Sequence, residues 1–227
     1  HMALIPDYRF FRQVADSLSR RGMAVLRMDD RGVGGSGGAT PDVTTAHFAD
    51  DIRAAVSWLR ARPDVDAARI ALAGHSEGGI IAPMVAVDDA RIAAVVLMAG
   101  PSWSGRRISD MQIRDAIAAQ GVTGAALDSA LARAIVQRDS AAAGMPWVRW
   151  FLAHDPLPVA RRVRAPVLVL QADALSLLFV ALSSLLWAAT TIYAIGYLEN
   201  SPLRSRFFGY FSLCVSATVG LALAGNL

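Results

Sequence analysis

Residues 69–86, RIALAGHSEGGIIAPMVA, constrain the fold more than any other stretch of the chain. Ile70–Ala73 is an apolar run of buried-strand length, Gly74-His75-Ser76-Glu77-Gly78 matches G-x-S-x-G, and residues 80–87 continue with helical apolar spacing. The pattern predicts strand, sharp turn and helix, with Ser76 at the apex. Such a turn holds the serine backbone in a strained conformation that lifts Oγ clear of the sheet. The same crowding predicts that a side chain at Gly74 or Gly78 would strike neighbouring backbone. A chance match among 18 glycines would lack the flanking strand and helix.

The remaining elements repeat this alternation. Phe11, Val14, Ala15 and Leu18 recur at helical spacing, predicting an amphipathic helix over Tyr8–Arg21 that ends at Gly22. Ala24–Met28 reads as a strand, followed by a glycine-rich loop through residue 38. Ile52, Ala55, Val56 and Leu59 mark a helix from His47 to Arg62, capped by Thr44 or Thr45 and closed by Pro63. Ala93–Ala99 and Pro166–Gln171 are two further apolar runs. Residues 103–160 between them contain three helical stretches and no good strand, which suits a helical cap. Wholly apolar strands alternating with helices predict a parallel α/β sheet covered on both faces.

From residue 174 the composition changes. Residues 174–198 carry no charge, nor do 207–227, and a short polar turn, ENSPLRSR, separates them. Each stretch is long enough to cross a bilayer, so 174–227 is expected to be a transmembrane helical hairpin, with Tyr193, Tyr197 and Tyr210 toward the interface. A buried pair of core helices is the alternative, although helices of that length normally keep a polar stripe. Arg161, Arg162 and Arg164 flank the first span against Arg204 and Arg206 in the turn, which predicts a cytoplasmic N-terminal part at a bacterial inner membrane. Without the hairpin the expectation becomes a soluble cytoplasmic protein. Residues 1–25 lack the pattern of a signal peptide.

All 22 basic residues are arginine. The absence of lysine removes Ser-Lys dyads, Schiff bases and the Walker phosphate lysine, so a serine nucleophile here must rely on histidine. A net charge of +3 spread without a basic stripe gives no support for nucleic-acid binding. A single cysteine, Cys214, excludes an intramolecular disulfide and reads as a packed or lipid-facing thiol. Gly32-x-Gly34-x-x-Gly37 formally matches a dinucleotide fingerprint, but Pro41 and the Thr44–Thr45 pair separate it from the next helix, so no helix N-terminus points at a pyrophosphate. No cofactor and no metal are expected.

Acyl transfer needs an activated hydroxyl, a base, an orienting acid and donors for the oxyanion. Ser76 is the candidate nucleophile, and the backbone N–H of Glu77, next to it at the helix N-terminus, is one oxyanion donor. The Glu77 side chain is expected to cap the helix or form an ion pair. The segments AVLRMDDRGVGGSGG, DDIRAAVSWLRARPDVDAARIALAGHSEGG and AHDPLPVARRVRAPVLVLQ together resemble the α/β-hydrolase superfamily, in its bacterial serine esterase and peptidase-like branch, over about residues 8–172. The resemblance implies a small ester or amide substrate. It also implies a second oxyanion donor in a His-Gly-type loop ahead of the first matched segment, and a strand between Ala24–Met28 and Ile70–Ala73. It places an acid just after Pro166–Gln171, slightly beyond Asp173, which is the acid candidate, and a histidine after one further strand.

No histidine follows Asp173. His1 is terminal, His47 opens a helix, His75 is directed away from the nucleophile, and His154 reads as a solvated or capping group in preference to a cap-borne base. An impaired hydrolase with an incomplete triad is therefore expected. Trp103, Trp147, Trp150 and Phe151 in the cap could line a pocket or fill a core.

Residues 175–227 resemble an early pair of spans in the membrane subunits shared by proton-pumping NADH dehydrogenases, hydrogenases and cation/proton antiporters. Neither span carries a charge, so proton movement is not expected to accompany the likeness. The expected architecture is α/β: a partial α/β-hydrolase sheet over 1–173 with its cap at about 103–160, then a lipid-embedded hairpin over 174–227. The alternative is a non-enzymatic, membrane-associated chimera with a vestigial hydrolase scaffold.

Overall fold

The computed structural model describes residues 10–38, 41–170, 174–199 and 201–223. Its helices are α1 (Phe10–Ser19), α2 (Thr45–Arg60), α3 (Gly78–Asp88), α4 (Gly105–Ala118), α5 (Gly124–Ala142), α6 (Pro146–Ala153), α7 (Leu157–Ala160), α8 (Ala174–Tyr197) and α9 (Arg204–Leu223). The strands β1 (Ala71–His75), β2 (Ala94–Met98) and β3 (Val167–Leu170) form one parallel sheet in the order β1-β2-β3.

The register Leu72↔Val95↔Val167 sets one sheet face against α3, with α2 packed over α3 as an outer layer. Ala49 and Val56 of α2, Leu72 of β1, Val85 and Ala86 of α3 and Val95 of β2 form the core, in which Val95 is fully buried. Ion pairs join the two helices at their edge, from Arg53 to Asp88 and from Arg60 to Asp89. Arg60 is only 12% exposed, and its guanidinium holds the Asp89 carboxyl below the usual carboxylate range.

Three expectations need correction. The opposite sheet face, Ala73↔Val96↔Leu168, is not covered: Ala73 is exposed and Leu168 is 50% exposed, so among the described residues the helical layer is one-sided. Residues 24–28 are not a strand. Val25, Leu26 and Met28 are exposed, and the segment pairs with no described strand, the one described neighbour of β1 being β2. An apolar run forms a strand only when backbone partners lie alongside it. The helix expected at His47–Arg62 runs from Thr45 to Arg60 because Thr44 caps it, its N–H donating to His47 Nδ1 at 3.1 Å.

Between β2 and β3, α4, α5 and α6 pack on one another and α7 leads back toward β3. Helices α8 and α9 pack on each other, with Trp187 edge-on to Phe211 at 6.5 Å. Among the described residues one helix, over Ser176–Tyr197, is long and apolar enough to cross a membrane. The second expected span, 207–227, lies only in part within the described residues, and its described part, in α9, does not reach that standard. Cys214 on α9 is exposed.

Candidate active site

Ser76 sits where β1 ends and α3 begins, with φ at 53° in the left-handed region. A non-glycine residue adopts that conformation at a local cost, so the surroundings must impose it. Two backbone bonds do so: Ser76 N–H donates to the Met98 carbonyl at 3.0 Å, and Gly79 N–H donates to the Ser76 carbonyl at 2.8 Å. His75, Met98 and Leu170 are level in the sheet register, so the elbow stands at the C-terminal edge of all three strands. Ligands of open parallel sheets bind at that edge.

The glycines divide differently from the sequence expectation. A Cβ on Gly74 would lie 2.0 Å from the Gly78 carbonyl oxygen, so Gly74 is compulsory as expected. A Cβ on Gly78 would meet nothing within 4 Å, and the expected collision there is absent. The second close approach belongs to Gly79, whose Cβ would lie 2.5 Å from Gly100 Cα. Helix α3 crosses the end of β2 at that point, and a side chain on either glycine would push them apart. That crossing is tertiary and left no signal in the G-x-S-x-G spacing.

Glu77 precedes the first residue of α3, and none of the described residues accepts a hydrogen bond from its N–H. Its side chain does not cap the helix and forms no ion pair with a described residue. Instead Oε1 accepts from Thr45 Oγ1 at 2.6 Å and from the Trp147 indole Nε1 at 2.7 Å. Thr45 opens α2 and Trp147 lies in the first turn of α6, so one carboxylate oxygen joins the elbow, the core helix and the cap. Neither donor was foreseeable from motif spacing, since they lie 32 and 70 residues away in sequence.

The described histidines are engaged elsewhere. His47 Nδ1 accepts from Thr44. The His75 ring packs edge-on to Phe11 at 5.6 Å. His154 caps α6, with its N–H donating to the Phe151 carbonyl at 3.2 Å, and its ring stacks on Trp150 at 4.4 Å. The capping part of its expectation holds and the solvated part does not: Nε2 is buried without a partner, and burial lowers the imidazole pKa, opposed in part by Asp155. No described histidine ring is hydrogen-bonded to Ser76 Oγ. Asp173, the acid candidate, lies outside the described residues, as does His1.

The aromatic side chains expected in the cap stack on near neighbours in sequence. Trp147 stacks on Phe151 at 5.7 Å, and Trp103 lies under the Arg107 guanidinium at 3.9 Å. The glycine-rich loop folds on Asp29 rather than opening toward a helix: Gly35 N–H donates to Asp29 Oδ2 at 3.2 Å, and Ser36 Oγ donates to the Asp29 carbonyl at 2.8 Å. Gly34, with φ at 57°, closes around the same carboxylate. Among the described residues no cluster of His, Cys, Asp and Glu could hold a metal ion.

Over 98 residues the chain is 32% identical to the polyketide transferase grgF of a Penicillium species, covering 43% of this chain and 31% of that protein. The solved structure of the α/β hydrolase GrgF from Penicillium sp. sh18 is similar with a TM-score of 0.49 and 21% identity, over 73% of this chain and 66% of that one. A separate likeness, 42% identity over 57 residues, is to NADH-quinone oxidoreductase subunit L of Mycobacterium tuberculosis, covering 25% of this chain and 9% of that protein. The chain thus spans a third or less of these curated relatives. The Hydrolase_4 family model, serine aminopeptidase S33, matches residues 4–176, and the chain belongs to that family of α/β hydrolases.

Proposed function

We propose that the chain is a serine hydrolase acting on an ester or small amide, with Ser76 as nucleophile and the Glu77 N–H as one oxyanion donor. The positive φ of Ser76, held between a strand end and a helix N-terminus, carries this reading. Attack by Oγ on a carbonyl carbon would leave the developing oxyanion near the first amides of α3, where the helix dipole favours negative charge. Asp173 is retained as the candidate orienting acid. Ser76 Oγ has no histidine partner among the described residues, and without a base a serine site keeps only the oxyanion and binding contributions. Turnover is accordingly slow. The test is release of p-nitrophenol from short-chain esters by the wild type and by Ser76→Ala. Slow, Ser76-dependent release supports the proposal, and equal release by both proteins overturns it.

The engagement of the described histidines away from Ser76 also favours a second reading, in which the hydrolase part is a vestigial scaffold in a chimeric protein. That reading expects no Ser76-dependent release.

We further propose that residues 1–173 form the hydrolase domain and that 174–227 attach it to a bilayer, with the hydrolase on the cytoplasmic side of a bacterial inner membrane. Ser176–Tyr197 supports this: only 6% of its most apolar window is buried, and Leu185 and Ile192 are exposed on it. A core helix of that length would be covered. The span carries no charged residue, so the likeness to an NADH-quinone oxidoreductase subunit brings no ion pathway with it.

A further inference from the structure

The two ends of cap helix α6 are held in different ways. At its C-terminal end the backbone is fixed to α4: Gly105 N–H donates to the His154 carbonyl at 3.1 Å, and a Cβ on Gly105 would lie 1.9 Å from the Phe151 carbonyl oxygen. That end is locked by main-chain contact. At its N-terminal end, Trp147 is 38% exposed, and its indole N–H reaches across to Glu77 Oε1 at 2.7 Å. The acceptor is itself immobilised, because the same oxygen takes the hydroxyl of Thr45, which is fully buried, at 2.6 Å. An indole N–H can only donate and a carboxylate can only accept, so this pair has one polarity and is charge-assisted.

We propose that Glu77 is a positioning residue that latches the N-terminal turn of α6 over the elbow through Trp147, and so limits the bulk of the acyl group that can approach Ser76. This rests on the serine-hydrolase reading for its consequence, though not for the latch itself. Glu77 adjoins Ser76 in the chain, so the turn that carries Trp147 is tied to the elbow itself. Freeing that turn while the C-terminal end stays locked to α4 widens the approach without dismantling the cap. Trp147→Phe deletes the donor and keeps a ring to stack on Phe151. Glu77→Gln keeps an oxygen acceptor for both donors, whereas Glu77→Met removes it.

The test combines hydrogen–deuterium exchange on the full chain with the rates at which a small and a bulky fluorophosphonate label it. In Trp147→Phe and Glu77→Met, amides of residues 149–152 are expected to exchange about five- to tenfold faster, as loss of one or two hydrogen bonds implies. Exchange in α4 and β1 stays as in the wild type, and Glu77→Gln restores slow exchange in α6. The bulky-to-small labelling ratio should rise about fivefold in Trp147→Phe and return toward the wild type in Glu77→Gln. Unchanged exchange in Trp147→Phe overturns the latch, and so does a labelling ratio that stays constant while exchange rises. If the wild type labels with neither probe, the Ser76 reading fails and exchange alone decides the latch.

Discussion

Gly74 and Gly78 face each other across the elbow so closely that one methyl group on Gly74 would lie 2.0 Å from the Gly78 carbonyl oxygen. The positive φ of Ser76 is possible because the chain doubles back through this contact. Gly74→Ala is therefore expected to destabilise the fold by about 3 kcal/mol, since the opposing atom is backbone and cannot swing aside. Gly78→Ala, with open space at its Cβ, is expected to be neutral or stabilising by up to about 1 kcal/mol through helix propensity. Urea unfolding of the two variants checks the contrast.

The Arg60–Asp89 pair fastens α2 to the end of α3, and Arg60 Nε and Nη2 are already buried without partners. Asp89→Asn removes the charge opposite a guanidinium that cannot be deprotonated. A loss of about 2 to 4 kcal/mol in thermal or urea unfolding is expected. Because Arg60 depresses the Asp89 pKa, this stabilisation is complete above the ordinary carboxylate range, near pH 4, and is lost as pH falls through the lowered value. The acid limb of the wild-type stability curve should flatten in Asp89→Asn.

His154 acts in the same direction at a higher pH. Burial lowers its pKa, so the unfolded chain binds a proton that the folded chain refuses. Stability is full above about pH 6.5 and declines as pH falls below it. His154→Phe keeps a ring against Trp150 and removes the titration. Unfolding measured at pH 5 and pH 7.5 should differ in the wild type and agree more closely in the variant.

Leu185, exposed midway along α8, tests the bilayer reading. Leu185→Arg places a charge at the centre of a span at a cost of about 2.5 to 3.5 kcal/mol. The wild type should stay with membranes through a carbonate wash and the variant should be partly released. Quantitative release of the wild type would refute attachment.

The elbow was legible from sequence because its determinants are local: a short apolar run, small residues at fixed offsets and a helical period. The three strands of the sheet and helices α4, α5 and α6 were legible for the same reason. Ala24–Met28 was not, because an apolar run does not say whether a neighbour is there to complete its ladder. Gly79 against Gly100, and Glu77 joined to Thr45 and Trp147, were hidden because they arise where separate elements cross. The open sheet face was hidden likewise, since apolar strand residues look the same whether or not a helix lies over them.

Covalent capture at Ser76 is the most direct test of the account. The full chain is treated with a small fluorophosphonate, digested, and its peptides mapped by mass, alongside Ser76→Ala. The account predicts slow phosphonylation confined to the peptide bearing Ser76 and absent from the alanine variant. No adduct at Ser76 after prolonged exposure, in a chain shown to be folded, would contradict it.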